Sequence, residues 1–468
     1  MLYRPTKGKM KDGCMLFFDG RFYLFSMYQK EGSEEYCNVF LATSEDGVHF
    51  SEEGCVVEDF PSPIWAMKVY RGEDAFYMNS GSFSDTGNQT VLKLWRSTDL
   101  YRWEYQPALD VLAPNDGEEG ARLDCMNVQK VGDTYHGYAT GQYGYLTSRD
   151  GAHWEAHPLP IIYAPFPTYN PALGGFEIAD FIEVEGKFYL LCGGFGHLGM
   201  NGYGVYLYRS DRPEGPFSPV LPDYRLNGTS RRWVNMWERC FAHEGELLAH
   251  NYVYDGYTYE DGNVYLPPIK RLLPHGDSLR LAWWEGNEAL RGELLCSCEE
   301  LIATCPVRRD VFLTDIDELF FSEERLSLPP EGVVIEGSFT LPKNSFTRYS
   351  AGGIYLAEDE HNGTAILFDT YGKCEMLSIR DQKILCVDDT VCFGSTAPYA
   401  IESGRSYALR ILSRHGIFEV YVDGVYMQTF NTSRARGERA RPIVGAAAVA
   451  LRNSCTLSSL RAYAWACE

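Results

Sequence analysis

Glu177 opens the stretch Gly175-Phe176-Glu177-Ile178-Ala179-Asp180-Phe181-Ile182-Glu183-Val184-Glu185-Gly186-Lys187-Phe188-Tyr189-Leu190, which reads as an acid at the mouth of a β-strand, a tight turn and a returning strand. Beside Phe176 and Ile178 on an inward-facing strand, its carboxyl would be partly desolvated. Desolvation raises a carboxyl pKa toward the value a general acid needs, so Glu177 is the candidate proton donor. Asp12 lies eight residues before Gly20, Asp124 eight before Gly132, and Glu177 nine before Gly186. Three acids at nearly one station of three separate units would meet at a common mouth. The one-residue offset of Glu177 would turn its side chain to the other face unless a bulge absorbs it.

The units themselves are marked by a recurring turn: Ser44-Glu45-Asp46-Gly47, Ser97-Thr98-Asp99-Leu100, Ser148-Arg149-Asp150-Gly151 and, more loosely, Ser210-Asp211-Arg212-Pro213. The serines step by 53, 51 and 62 residues, a period that predicts propeller blades of about four short strands each. Each Ser-x-Asp turn should end a blade's third strand, with the following aromatic packed between neighbouring sheets. A second marker, an early hairpin glycine, recurs at Gly20, Gly72, Gly132, Gly186 and Gly245 and divides the region into five units. The expectation is an all-β chain, a five-bladed β-propeller over 1–288 followed by a β-sandwich over 329–468, with 289–328 as a packed linker. Aromatics at 14%, with 32 tyrosines and 45 glycines, fit many short strands joined by tight turns.

Composition narrows the partners. A formal net charge of −22 and the lack of any Lys/Arg run argue against nucleic acid and anionic lipid. Neither a signal-like apolar run nor a membrane span is visible, and the expected location is cytoplasmic. The 14 cysteines are scattered singly apart from Cys296-Ser297-Cys298, without paired zinc spacing, so buried free thiols and no metal are expected. Glycosylation-type triplets at Asn88, Asn227, Asn362 and Asn431 carry no meaning in such a compartment. Gly194-Phe195-Gly196-His197-Leu198-Gly199 fits a dinucleotide glycine pattern, but the next stretch, Tyr203 to Tyr208, reads as a strand where that pattern needs a helix. No cofactor is expected, and the segment reads as a loop near the mouth from which His197 could touch a substrate.

The chain resembles glycoside hydrolase family 32, the β-fructofuranosidases, and more distantly family 43, which shares the propeller. The resemblance covers nearly the whole length and implies a propeller followed by a sandwich. Glu177-Ile178-Ala179-Asp180-Phe181 is similar to the family's Glu-Cys-Pro-Asp acid/base stretch, and Lys11-Asp12-Gly13 to its Asn-Asp-Pro-Asn-Gly nucleophile stretch. Arg122-Leu123-Asp124-Cys125 resembles its Arg-Asp-Pro stabiliser with one residue inserted, and Glu419-Val420-Tyr421 its sandwich Glu-Val-Phe. The Asn before the nucleophile and the Pro after it are absent, so fold and reaction type carry over better than substrate does.

What the resemblance implies is cleavage of a small furanoside or short oligosaccharide, with one carboxylic acid protonating the leaving oxygen and a carboxylate attacking from the opposite face. Glu177 would be the acid/base, Asp12 the nucleophile, and Asp124 a fixed anion bonding sugar hydroxyls, with Arg122 holding another. Asp180 competes with Glu177 for the acid role. Trp65 and Trp237 could floor sugar rings, core packing being the competing account, and Glu238 shares the Trp237 station. For the three acids the competing account is a solvated turn or a cap on backbone amides. A retaining fructofuranosidase leads. The alternatives are an inverting family-43-like arabinofuranosidase or xylosidase and a sugar-binding propeller without turnover. Oligomeric state is not legible.

Overall fold

The computed structural model describes residues 2–163, 176–195, 203–220, 225–228, 235–256, 262–305, 319–329, 332–343, 351–370, 372–381, 383–389, 401–432 and 441–466. Apart from short 3-10 turns such as Glu285–Leu290, its regular elements are nearly all antiparallel strands. The first sheet runs Lys9–Phe18, Arg21–Gln29, Asn38–Ser44, Ser51–Val57, and the second begins Trp65–Arg71, Phe76–Ser82, Val91–Ser97. The third is built from Asn127–Val131, Thr134–Tyr138, Tyr145–Ser148 and Glu155–His157. Phe176–Val184, Lys187–Phe195 and Tyr203–Ser210 lead the fourth, Asn235–His243, Glu246–Tyr254, Lys270–His275 and Ser278–Trp283 the fifth.

The leading strand of each sheet packs against that of the next, and the fifth closes on the first. Side-chain amides lace these strands together: Asn79 donates to the Met126 carbonyl at 2.9 Å and Asn127 to that of Ile178 at 3.1 Å. Tyr3 forms a bridge to Leu266, joining the start of the described chain to the fifth sheet. Ser44, Ser97 and Ser148 each end a third strand, and each hydroxyl accepts the backbone N–H three residues on at 2.9 Å. The aromatics that follow pack between sheets as expected: Trp103 meets Phe25 edge-on, and Trp154 donates to the Tyr70 hydroxyl. Asp19-Gly20, Glu185-Gly186 and Glu244-Gly245 turn with both φ positive, a hairpin that the glycine makes cheap.

One further sheet faces a continuation of the fifth, joined to it where Ala282 pairs with Val425, across a core that includes Ile335, Phe339, Ile354, Phe368, Ile411, Val420 and Leu457. The 289–328 stretch, expected as a linker, is not one throughout. Arg291–Thr304 is a strand paired with Ser454–Trp465, and Phe320–Phe321 and Leu326–Ser327 pair with Gly445–Arg452. Its apolar residues lacked a readable period because the strand sits at a sheet edge with both faces partly solvated. Among the eleven cysteines described as free, six are buried, and Cys37, Cys55, Cys296, Cys298 and Cys305 are partly exposed, so burial was only half the answer. No helix among the described residues is long and apolar enough to cross a membrane.

Candidate active site

Four of the five leading strands carry one extra residue relative to their partners: the register shifts between Lys11 and Cys14, Trp65 and Lys68, Ile178 and Asp180, and Met236 and Arg239. A bulge re-aims side chains and ends regular pairing, so each strand can point a polar residue where strict alternation would not. Asp12 lies in the first bulge with φ of 47°, a left-handed conformation that is uncommon outside glycine and that Asp and Asn tolerate best. In the fourth strand the extra residue is Ala179, so the offset that set Glu177 one position from the other acids is absorbed there.

Arg122 joins the acids. One of its guanidinium nitrogens donates to Asp124 Oδ2 at 2.6 Å and to Glu177 Oε1 at 2.9 Å. Asp124 also accepts from Gln89 at 3.2 Å and from the Cys125 N–H at 2.8 Å, and only 5% of its side chain is accessible. Glu177 keeps 26% of its side-chain surface accessible and Arg122 30%, so both remain within reach of a ligand. Burial pushes the Glu177 carboxyl above the ordinary range. Arg122 opposes that rise, while the negative charges of Asp124 and Asp12 add to it. Glu177 therefore senses both other acids, and the three lie in one electrostatic neighbourhood. The Tyr252 hydroxyl donates to Asp12 Oδ1, and the Lys11 ammonium stands 3.9 Å from Asp12 Oδ2. Lys11 also lies 5.7 Å from the ring centroid of half-buried Trp65, which places Trp65 one side chain away from Asp12.

Two expectations need correction. Asp180 does not face a ligand: 1% of its side chain is accessible, and it accepts from Lys68 at 2.9 and 3.0 Å, from the Phe181 N–H at 2.9 Å and from the Cys240 N–H at 2.6 Å. With its lone pairs occupied by internal donors it is a structural ion-pair partner, not a competitor for proton transfer. Glu238, set beside Trp237 at the mouth, is fully buried and points to the C-terminal region instead. Its Oε2 accepts from Asn227 at 2.5 Å, and Asn227 in turn accepts from Tyr426 at 2.9 Å. Trp237 lies on the strand Asn235–His243, but its side chain is outside the described residues, as is His197. Tyr203–Ser210 is a strand, not the helix a dinucleotide loop needs.

Several residues that matter here escaped sequence reasoning. Cys14, Lys68, Asp180 and Arg239 each follow a bulge immediately, and they meet in one buried cluster. Lys68 pairs with Asp180, and the charge of Arg239 interacts with those of Asp180 and Asp12. A usable signal existed: Arg239 lies six residues before Gly245, as Asp180 lies six before Gly186, so one count points at both. The described residues contain no group of three or more potential metal ligands. Chemically, the arrangement offers a partly accessible carboxyl of raised proton affinity, a carboxylate from the first sheet, another from the segment leading into the third, and one bridging guanidinium.

No protein-family model matches the chain. The sucrose-6-phosphate hydrolase of Escherichia coli is 32% identical over 99 residues, a stretch that spans 20% of this chain and 20% of that enzyme. Whole-chain likeness is structural. The Bombyx mori GH32 β-fructofuranosidase superposes with a TM-score of 0.67 at 13% identity, covering 98% of this chain and 92% of its own. The fructofuranosidase of Schwanniomyces occidentalis gives 0.65 at 13% identity, with 98% and 96% covered. Sucrose-6-phosphate hydrolase of Lactobacillus gasseri gives 0.63 at 12% identity, with 97% and 91% covered. At these identities the likeness is one of fold, and in fold the chain resembles glycoside hydrolase family 32 over nearly its whole length.

Proposed function

We propose that the chain is a glycoside hydrolase, a retaining β-fructofuranosidase-like enzyme acting on small furanosides or short oligosaccharides. The observation that carries this reading is the Arg122 bridge: Glu177 on the fourth sheet and Asp124 in the segment leading into the third share one partly accessible guanidinium, and Asp12 on the first sheet lies close enough to raise Glu177 further. In this account the five N-terminal sheets are the blades of a propeller over about residues 1–288. The C-terminal remainder is a sandwich, to which the 289–328 stretch contributes strands. Relatives of the same fold have been seen with sucrose, fructose and 1-kestose bound, which supports a small neutral sugar as partner. Unpaired cysteines support a reducing, cytoplasmic setting.

Glu177 in its acid form, which burial favours and Arg122 opposes, gives its proton to the leaving glycosidic oxygen. Asp12 attacks the anomeric carbon from the opposite face, forming a covalent glycosyl ester as the bond to the leaving group breaks. Glu177, now ionised, takes a proton from water, which displaces Asp12 and releases the sugar with its configuration kept. Asp124 accepts hydroxyl hydrogens of the furanose and, as a fixed anion, favours the positive charge that develops on the ring. Arg122 holds Asp124 and Glu177 in register and steadies Glu177 while it is charged. Trp65 offers an aromatic face beside Asp12.

The test is hydrolysis of a panel of fructosides, arabinofuranosides and xylosides in the presence of methanol. The expected product from fructosides is the methyl glycoside of retained configuration. Inverted product from arabinofuranosides or xylosides favours the family-43-like mechanism. Sugar binding without turnover would leave a binding module.

A further inference from the structure

We infer that Arg239 is a positioning residue, a strap from the fifth sheet that fixes the backbone on which Asp12 and Asp124 are mounted. This deepens the hydrolase reading and rests on it. Arg239 is among the largest fully buried side chains, and its fork reaches two other sheets and the segment leading into a third. One terminal nitrogen donates to the Gly13 carbonyl at 3.2 Å and to the Met67 carbonyl, and the other donates to Cys125 Sγ at 2.8 Å. Gly13 directly follows Asp12, and Cys125 directly follows Asp124.

The choice of acceptors explains why an arginine is needed. Gly13 and Met67 both lie in bulges, outside the paired register of their strands. A buried carbonyl off the ladder needs a donor from elsewhere, and leaving one unsatisfied costs roughly 1–3 kcal/mol. Asp12 itself holds φ of 47°, a conformation that persists only where the surroundings over-determine it. Arg239 supplies that constraint, as Tyr252 does. A planar guanidinium reaches several acceptors in fixed directions, which a lysine ammonium on a flexible stem cannot reproduce. Cys125 is kept as a neutral thiol by burial, its pKa pushed up to about 12, so it serves Arg239 as a polarisable acceptor and not as a counter-charge. The charges that do compensate Arg239 include Asp180 and Asp12.

Loosening the strap should displace reacting groups without removing them, and a misplacement of about 1 Å costs on the order of 100-fold in rate. The full-length protein is compared with Arg239→Lys, Cys125→Ala and Cys125→Ser, using sucrose turnover and amide hydrogen exchange. Arg239→Lys is expected to lower kcat about 100-fold with KM within about threefold. Exchange should quicken in peptides covering 9–18 and 122–131 and stay unchanged over Asn38–Ser44 and Val91–Ser97. Cys125→Ala should lower kcat about tenfold, and Cys125→Ser, which restores an acceptor, should recover most of that loss. Wild-type kcat and exchange in Arg239→Lys would overturn the inference. If Arg239→Lys does not fold, the cysteine pair decides, and equal behaviour of the Ala and Ser variants counts against the strap. A wild type that turns over no glycoside of the panel would sink the functional reading alone, because the exchange comparison still tests the strap.

Discussion

Arg122 donates to Glu177 Oε1 at 2.9 Å from the same nitrogen that holds Asp124 at 2.6 Å, so the proton affinity of Glu177 is a compromise between burial and a neighbouring cation. Removing the cation should tip that compromise. In Arg122→Met the Glu177 proton is held to higher pH, and the alkaline limb of the kcat profile moves up. The shift is modest because Arg122 is partly accessible to solvent. An alkaline limb that stays in place would detach it from Glu177.

The pair Lys68 and Asp180 makes a second prediction, this time about stability. Both are buried, and they come from the second and fourth sheets, so the bond joins sheets that are not consecutive in the chain. Asp180→Asn leaves an ammonium without its counter-charge and should cost about 3–5 kcal/mol in urea unfolding. Replacing both partners by apolar residues should cost clearly less than the sum of the single changes. Strict additivity would show that the pair is not coupled.

Glu238 offers a pH test. Burial pushes its carboxyl up to about 7 from an ordinary value of 4.5, Glu419 adds to the rise, and Lys270 and Asn227 oppose it. Lys270 is already paired with Glu419 at 3.1 Å, and Tyr421 also donates to Glu419, so Glu238 shares the Lys270 cation with a second carboxylate among the described residues. A folded-state pKa above the unfolded one means that the contribution is fully present below pH 4.5. It is lost progressively up to about pH 7 and flat above it. Glu238→Gln removes the titration while keeping an acceptor for Asn227. The variant should match the wild type near pH 4 and exceed it by about 3 kcal/mol at pH 8 in urea unfolding. Parallel stability curves across that range would contradict the assignment.

What could be read from the residues, and what could not, follows the range of the interactions involved. The Ser-x-Asp turns were legible because their bonds close within three residues, and the hairpin glycines because the positive φ they adopt is a local demand. Counting from those glycines sufficed to set Asp124 and Glu177 at one station, where they share Arg122. It failed for Asp180 and Glu238, whose directions are fixed by bulges and by partners in other sheets: Lys68 for the first, Asn227 and the C-terminal Tyr426 beyond it for the second. The strand Arg291–Thr304 was missed for a similar reason, since its partner Ser454–Trp465 lies at the far end of the chain. Arg239 was countable but not interpretable, because an arginine acquires meaning there only once the bulge carbonyls of Gly13 and Met67 are seen to need a donor.

The central claim is that Glu177 supplies the proton for glycoside cleavage, and sucrose hydrolysis by the wild type beside Glu177→Gln tests it most directly. The substitution keeps shape and an acceptor for Arg122 but cannot hold a transferable acid proton. The account predicts an active wild type and a variant with unchanged melting whose kcat is lower by about 100- to 10,000-fold. A Glu177→Gln protein that cleaves sucrose at the wild-type rate with the same pH profile would contradict it.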